Sequence, residues 1–116
     1  MKLGRWLMVL ATVALAVAPA QAAELVMYSR AGCPYCAAWD REIGPIYDKA
    51  DVSRRAPLRR IDLDRDRSNV VLRNPVIYTP TFVLVDGDRE VARIEGYPGH
   101  DFFWALLERL LERLPE

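Results

Sequence analysis

Cys33 and Cys36 are the only two cysteines in the chain, and they stand close together in Ala31-Gly32-Cys33-Pro34-Tyr35-Cys36. Sulfurs at this spacing can hold a metal, attach haem, staple a loop or exchange electrons with another thiol. A structural zinc site wants four Cys or His ligands, and beyond the pair the chain offers only His100, so ligand count argues against zinc. Covalent haem attachment needs a histidine directly after the second cysteine, where Ala37 stands. A purely structural disulfide over so short a loop removes little chain entropy and adds little stability. Redox chemistry is what remains.

That chemistry needs elements that hold the two sulfurs differently. Leu25–Tyr28 is a short β-prone run that reads as a buried strand, and Ser29–Gly32 supply a turn. Pro34 suits the first turn of a helix, which Tyr35–Asp48 can continue, with Pro45 kinking or interrupting it. Cys33 therefore falls at a helix N-terminus, where unpaired N–H groups and the helix dipole favour a thiolate. This marks Cys33 as the nucleophile. Cys36 lies on the same helical face one turn deeper, placed to attack a mixed disulfide on Cys33 and release the product. Arg30 either adds positive potential near Cys33 or is an ordinary solvated arginine, since exposed charges are strongly screened.

The rest of the chain alternates in kind. Leu58–Leu63, Thr81–Val85 and Glu90–Ile94 read as strands, Asp66–Arg73 as a short helix, and Asp86-Gly87-Asp88 as a hairpin turn. Apolar residues at helical spacing from Phe102 to Leu114 predict a final helix, capped by Asp101. The order βαβαββα predicts an α/β fold: a mixed four-stranded sheet, its first two strands parallel, with helices on its faces. The mixed-sign charge run Arg54–Arg67 reads as a solvated face rather than a binding patch.

A chain of 116 residues holds one domain. Lys plus Arg and Asp plus Glu both number 16, which leaves no basic excess for nucleic acid, so no nucleic-acid partner is expected. Lys2 and Arg5, the uncharged run Trp6–Ala18 and the small residues up to Ala23 follow the pattern of a secretory signal peptide. The apolar run is short for a membrane span; an uncleaved anchor is the alternative. Cleavage after Ala22 is expected, with Ala20 fitting nearly as well. The expected organisation is a signal peptide at residues 1–22 and one domain at 23–116, exported to the periplasm, where disulfides persist.

The residues resemble a known family. The element order, the C-x-x-C pair at the start of the first helix, Thr79-Pro80 opening the third strand and Gly96 closing the fourth are similar to the thioredoxin superfamily. Cys33-Pro34-Tyr35-Cys36 is similar to the glutaredoxin quartet, whereas Thr79-Pro80-Thr81-Phe82-Val83-Leu84 looks more like thioredoxin. The sequence as a whole most resembles the small periplasmic thioredoxins encoded with the bacterial sulfur-oxidising (Sox) system. The resemblance implies a cis Pro80 beside the redox pair; the plain alternative is a trans, strand-opening proline. It implies substrate binding by Thr79, through its backbone, and by Pro80, Pro34 and Tyr35. Gly96-Tyr97-Pro98-Gly99 would line the far side of the groove, or form a plain turn. Two positions depart from the family: Met27 stands where thioredoxins commonly carry a buried acid that assists the second cysteine, and Gly32 where they carry Trp.

The expected function is thiol-disulfide exchange through Cys33 and Cys36, with no cofactor beyond the redox pair and no metal. By resemblance the direction is reductive. Its partners would be exported proteins, sulfur-carrier proteins among them, with electrons from a membrane thiol transporter and glutathione as an alternative reductant. The alternatives are a thiol oxidase or isomerase, and a non-catalytic module holding a thiol partner or Cu(I).

Overall fold

Two stretches, Glu24–Ser29 (β1) and Thr81–Asp86 (β3), are apolar on both faces and buried along almost their whole length, the pattern of central strands covered on both sides. They pair antiparallel with each other. Leu58–Asp62 (β2) joins β1 in parallel and Arg89–Glu95 (β4) joins β3 antiparallel, giving the order β2-β1-β3-β4. β4 alternates buried and exposed residues, as a half-solvated edge does. The computed structural model describes residues 23–115, together with Gly4 and residues 10–16. The expected signal segment lies for the most part outside the described residues.

The helices are Pro34–Glu42 (α1), Gly44–Tyr47 (α2), Val52–Arg55 (α3) and His100–Leu111 (α4). The expected helix over 35–48 is thus divided at Ile43, because Pro45 brings no N–H and its ring cannot sit in a continuing helix. The short α3 was not expected from the sequence. Asp101 does not cap α4: Gly99 occupies the cap without a side-chain bond, and Asp101 stands inside the first turn. There its carboxylate still meets the favourable end of the helix dipole.

Alternation along the strands sorts the interior into two clusters. Leu25, Met27, Phe82 and Leu84 face one side, where Trp39, Ile43, Tyr47, Phe103 and Leu107 from the helices meet them. Val26, Tyr28, Val83 and Val85 face the other, with Ile61. No helix covers that second face among the described residues. Asp66–Arg73, expected as a helix, is irregular chain instead, extended at Val71, which makes a parallel bridge to Arg89. Asn69, the β-branched pair Val70-Val71 and Pro75 are poor helix residues. In extended chain Val70 and Leu72 point the same way, and with Val76 they pack on the second cluster. Burial of that face overrode the expected helix.

Tyr47 shows how a short helix is anchored. Its ring is fully buried and its hydroxyl donates to the Ala56 carbonyl at 2.6 Å. Burial, and secondarily the charge of Asp48, push its pKa well above the ordinary phenol value. A raised folded-state pKa means that stability is present below about pH 10 and is lost as pH climbs toward the folded value. Tyr47→Phe should cost about 1–2 kcal/mol at neutral pH, because the buried Ala56 carbonyl loses its side-chain donor. The same variant should soften the loss of stability between roughly pH 10 and 11. Urea midpoints at pH 7 and 11 for both proteins check this.

Candidate functional site

β1 ends at Ser29, and the chain turns through Gly32, whose φ of +78° suits a residue without a side chain. This conformation accounts for glycine where the family commonly has tryptophan: an added Cβ would find open space, but the backbone angle would be strained. Cys33 follows as the N-cap of α1, with Pro34 in the first turn. The Cys36 backbone N–H donates to Cys33 Sγ at 3.2 Å, so the cap's usual oxygen is replaced by sulfur. A thiolate at Sγ receives that N–H and the positive end of the helix dipole together. The two sulfurs lie at disulfide distance. Cys33 is half-buried, while Cys36 is buried at 5 % exposure among the residues of the helical core.

Thr79-Pro80 is a cis peptide bond, and the Thr79 carbonyl oxygen lies 3.3 Å from Cys33 Sγ, within reach of an S–H donor when the pair is reduced. The turn carrying it is braced on both sides. Thr81 Oγ1 donates to the Tyr78 carbonyl at 2.6 Å, and the Gly96 N–H donates to the Pro80 carbonyl at 2.7 Å. Further back, the Arg93 guanidinium donates to the carbonyls of Asn74 and Pro75 and to the Glu90 carboxylate, which also accepts the Arg73 N–H. The hydrogen bond from Arg93 holds the Glu90 carboxyl below the usual carboxylate range despite its burial. The approach to the cis proline is thereby pinned to β4.

Two open grooves flank the sulfurs. One, of about 410 Å³, is lined by Tyr35, Tyr78, Thr79, Glu95 and Gly96. The other, of about 490 Å³, takes in Cys33, Cys36, Gly32, Arg30, Asp40 and Asp62. Of the residues expected from the sequence, Cys33 and Cys36 meet at the start of α1, the Thr79 carbonyl meets Cys33 from the cis Thr79-Pro80 turn just before β3, and Tyr35 and Gly96 share the first groove. Pro34 lines the second. Tyr97 ties the 96–99 turn to α1, its hydroxyl donating to the Glu42 carboxylate. Burial, then that hydrogen bond, push its pKa up to about 12. Arg30 is held by Asp64 at 3.0 Å, so its charge near Cys33 is largely balanced.

Tyr78, Asp40, Asp62 and Arg60 were not singled out from the sequence. Tyr78 had a signal, an aromatic residue directly before Thr79-Pro80. Asp40 had one too, its place four residues after Cys36 on the expected helix; Asp62 and Arg60 had none, because β2 comes beside α1 only in the fold. Among the described residues no cluster of three or more His, Cys, Asp or Glu side chains is placed to hold a metal.

The family model described as a thioredoxin-like domain matches residues 12–111. Among solved structures the chain is similar to the periplasmic thioredoxin SoxS from Paracoccus pantotrophus in its reduced form, at 48% identity and a TM-score of 0.74, over 78% of this chain and 97% of that one. A thioredoxin-fold protein from Helicobacter pylori matches at 20% identity and 0.62, over 83% and 73%. Thioredoxin-2 of the malaria parasite, a component of its protein secretion machinery, matches at 19% and 0.56, over 76% and 82%. These two share the fold. No curated protein is similar enough to match. With a matching domain model over most of its length, and a sulfur pair set between a helix start and a cis proline, the chain belongs to the thioredoxin-like family.

Proposed function

We propose that this protein is an exported reductase, which in the periplasm keeps cysteines of partner proteins reduced through Cys33 and Cys36. The observation that carries the reading is Cys33 Sγ at the start of α1, next to Cys36 and to the Thr79 carbonyl. In the reaction the Cys33 thiolate attacks a partner disulfide, forming a bond to one sulfur and expelling the other as a thiolate. Cys36 then attacks Cys33 Sγ, closing the Cys33–Cys36 disulfide and releasing the partner with both thiols. Two electrons pass from the pair to the partner, and a membrane thiol transporter restores them.

Thr79 supplies backbone hydrogen bonds to an extended partner segment, Pro80 packs beneath it, and Pro34, Tyr35 and Gly96 shape the walls. Similarity to a periplasmic thioredoxin at 48% identity and the leader-like residues 1–22 support the periplasmic site of action. Sulfur-carrier proteins of a sulfur-oxidising system are the proposed partners, on the sequence resemblance to thioredoxins encoded with such a system. Glutathione is the alternative reductant.

Equilibration of the mature protein with graded redox buffers tests the direction. A reductase should come to rest at roughly −200 to −270 mV, where the dithiol is a strong donor. A value of roughly −120 mV, typical of a strong oxidant, would overturn the reductive assignment while leaving exchange itself intact.

A further inference from the structure

Resolution of the mixed disulfide needs Cys36 as a thiolate, and Cys36 is buried beside groups that offer it little help. An ordinary thiol has a pKa of about 8.5, and burial in apolar surroundings raises it. Met27, on β1 where thioredoxins commonly carry an acid, is fully buried and its thioether accepts no proton. The Trp39 indole is a donor only. A proton acceptor must therefore come from elsewhere in the groove that Cys36 lines.

Asp40 stands there. It lies four residues after Cys36 on α1, the spacing that puts two side chains on one helical face with Cβ atoms about 5–6 Å apart. Both residues line the same open groove of about 490 Å³, so solvent can bridge carboxylate and thiol. The carboxylate is not free to wander. Arg60 Nη1 from β2 donates to Asp40 Oδ1 at 2.7 Å, and no hydrogen bond from the described residues reaches Oδ2. Arg60 is itself fixed, its guanidinium 5.4 Å from the Trp39 ring centroid and Nη1 3.7 Å from Met27 Sδ. The register that sets Met27 opposite Arg60 places this cation next to the position where the family's acid is missing.

We infer that Asp40 accepts the Cys36 proton through a groove water during resolution, and that Arg60 is its positioning residue. The inference rests on the thiol-disulfide exchange proposed above. In the step, the Cys36 S–H proton passes by way of water to Asp40 Oδ2 and the sulfur keeps the electron pair. That pair forms the bond to Cys33 Sγ, the bond from Cys33 Sγ to the partner sulfur breaks, and the partner leaves as a thiolate. The proton on Asp40 then passes to that thiolate or to bulk water. The other charged groups facing this space are Arg30 after β1, paired with Asp64, and Asp62 on β2, whose Oδ1 accepts the Asp64 N–H. Asp62 is the competing acceptor.

Stopped-flow reaction of the reduced protein with an aromatic disulfide such as 5,5′-dithiobis(2-nitrobenzoate) separates the steps. The first thiolate released reports attack by Cys33, and the second reports resolution by Cys36. In the wild type the second step should vary little from about pH 5.5 to 8, as expected for a carboxylate base. Asp40→Asn should slow it about tenfold or more at pH 6 and make it climb about tenfold per pH unit, as reliance on pre-formed thiolate requires. The first release should be unchanged, which also reports an intact fold. Arg60→Met should slow the second step less, and Asp62→Asn should leave it near wild type. A profile for Asp40→Asn that superimposes on the wild type, or a steep one in Asp62→Asn instead, would overturn the assignment. A wild type that never gives the second release would instead remove the exchange reading on which the assignment stands.

Discussion

Cys36→Ser should turn the protein from a catalyst into a trap. Cys33 would keep its position at the α1 cap and the N–H of residue 36, so its attack on a partner disulfide should survive. The serine hydroxyl, far less acidic than a thiol, cannot displace the partner, and covalent adducts should accumulate at one per protein. Turnover of a protein disulfide such as insulin should fall by roughly 10³-fold or more, since an activated sulfur nucleophile is removed from the cycle. Cys33→Ser should lose turnover to the same degree and form no adduct. The asymmetry is the diagnostic part, because only Cys33 is both capped and half-exposed. Mass spectrometry of both variants after exposure to exported proteins reads it, and adducts on Cys33→Ser but not on Cys36→Ser would reverse the assigned roles.

Trp39→Ala should bring the largest loss of stability. The indole is fully buried and meets three other rings, with centroids 5.3 Å away at Phe82, 5.8 Å at Phe103 and 6.2 Å at Tyr47. It joins α1, α2, β3 and α4 in one cluster. Truncating a buried tryptophan costs about 3–5 kcal/mol through lost transfer energy and the cavity left behind. Total stability for such a domain is about 5–15 kcal/mol, so thermal unfolding followed by circular dichroism should shift down by roughly 15 °C or more. Trp39→Phe should lose much less. It keeps an aromatic plane against Phe82 and removes the indole N–H, which is buried with no partner among the described residues. Equal losses in the two variants would mean that the cluster does not depend on ring packing at this position.

The redox pair and its placement were legible because they are local. A β-prone run, a glycine turn and Cys-Pro-Tyr-Cys at a helix start lie within about a dozen residues, and each element formed where propensity put it. The four strands were equally legible, since the apolar runs of β1 and β3 and the alternation in β4 are the direct trace of sheet burial. The helix expected at Asp66–Arg73 failed for a tertiary reason: the second face of the sheet needed Val70 and Leu72 on one side, and extended chain provides that. The Asp101 cap failed because Gly99 took up the turn two residues earlier, at a φ of +106°. Partnership between Asp40 and Arg60 was out of reach for a different reason. Their side chains meet only through the parallel register of β1 and β2, and a mixed-sign charge run carries no mark of which member will turn inward.

Cladding one side of a sheet with irregular chain ties two jobs to one strip of polypeptide. The stretch that shelters Val26, Val83 and Val85 runs on without interruption to Tyr78 and Thr79. A helix in that place would carry its own internal bonding, whereas this strip is fastened from outside, by side chains pressed onto the sheet, by the backbone bonds of Val71 to Asp88 and Glu90, and by the Arg93 clasp. Whatever loosens the cover thus slackens the rim against which an incoming disulfide must rest, and a substitution deep under Leu72 can be felt at the sulfur it never touches.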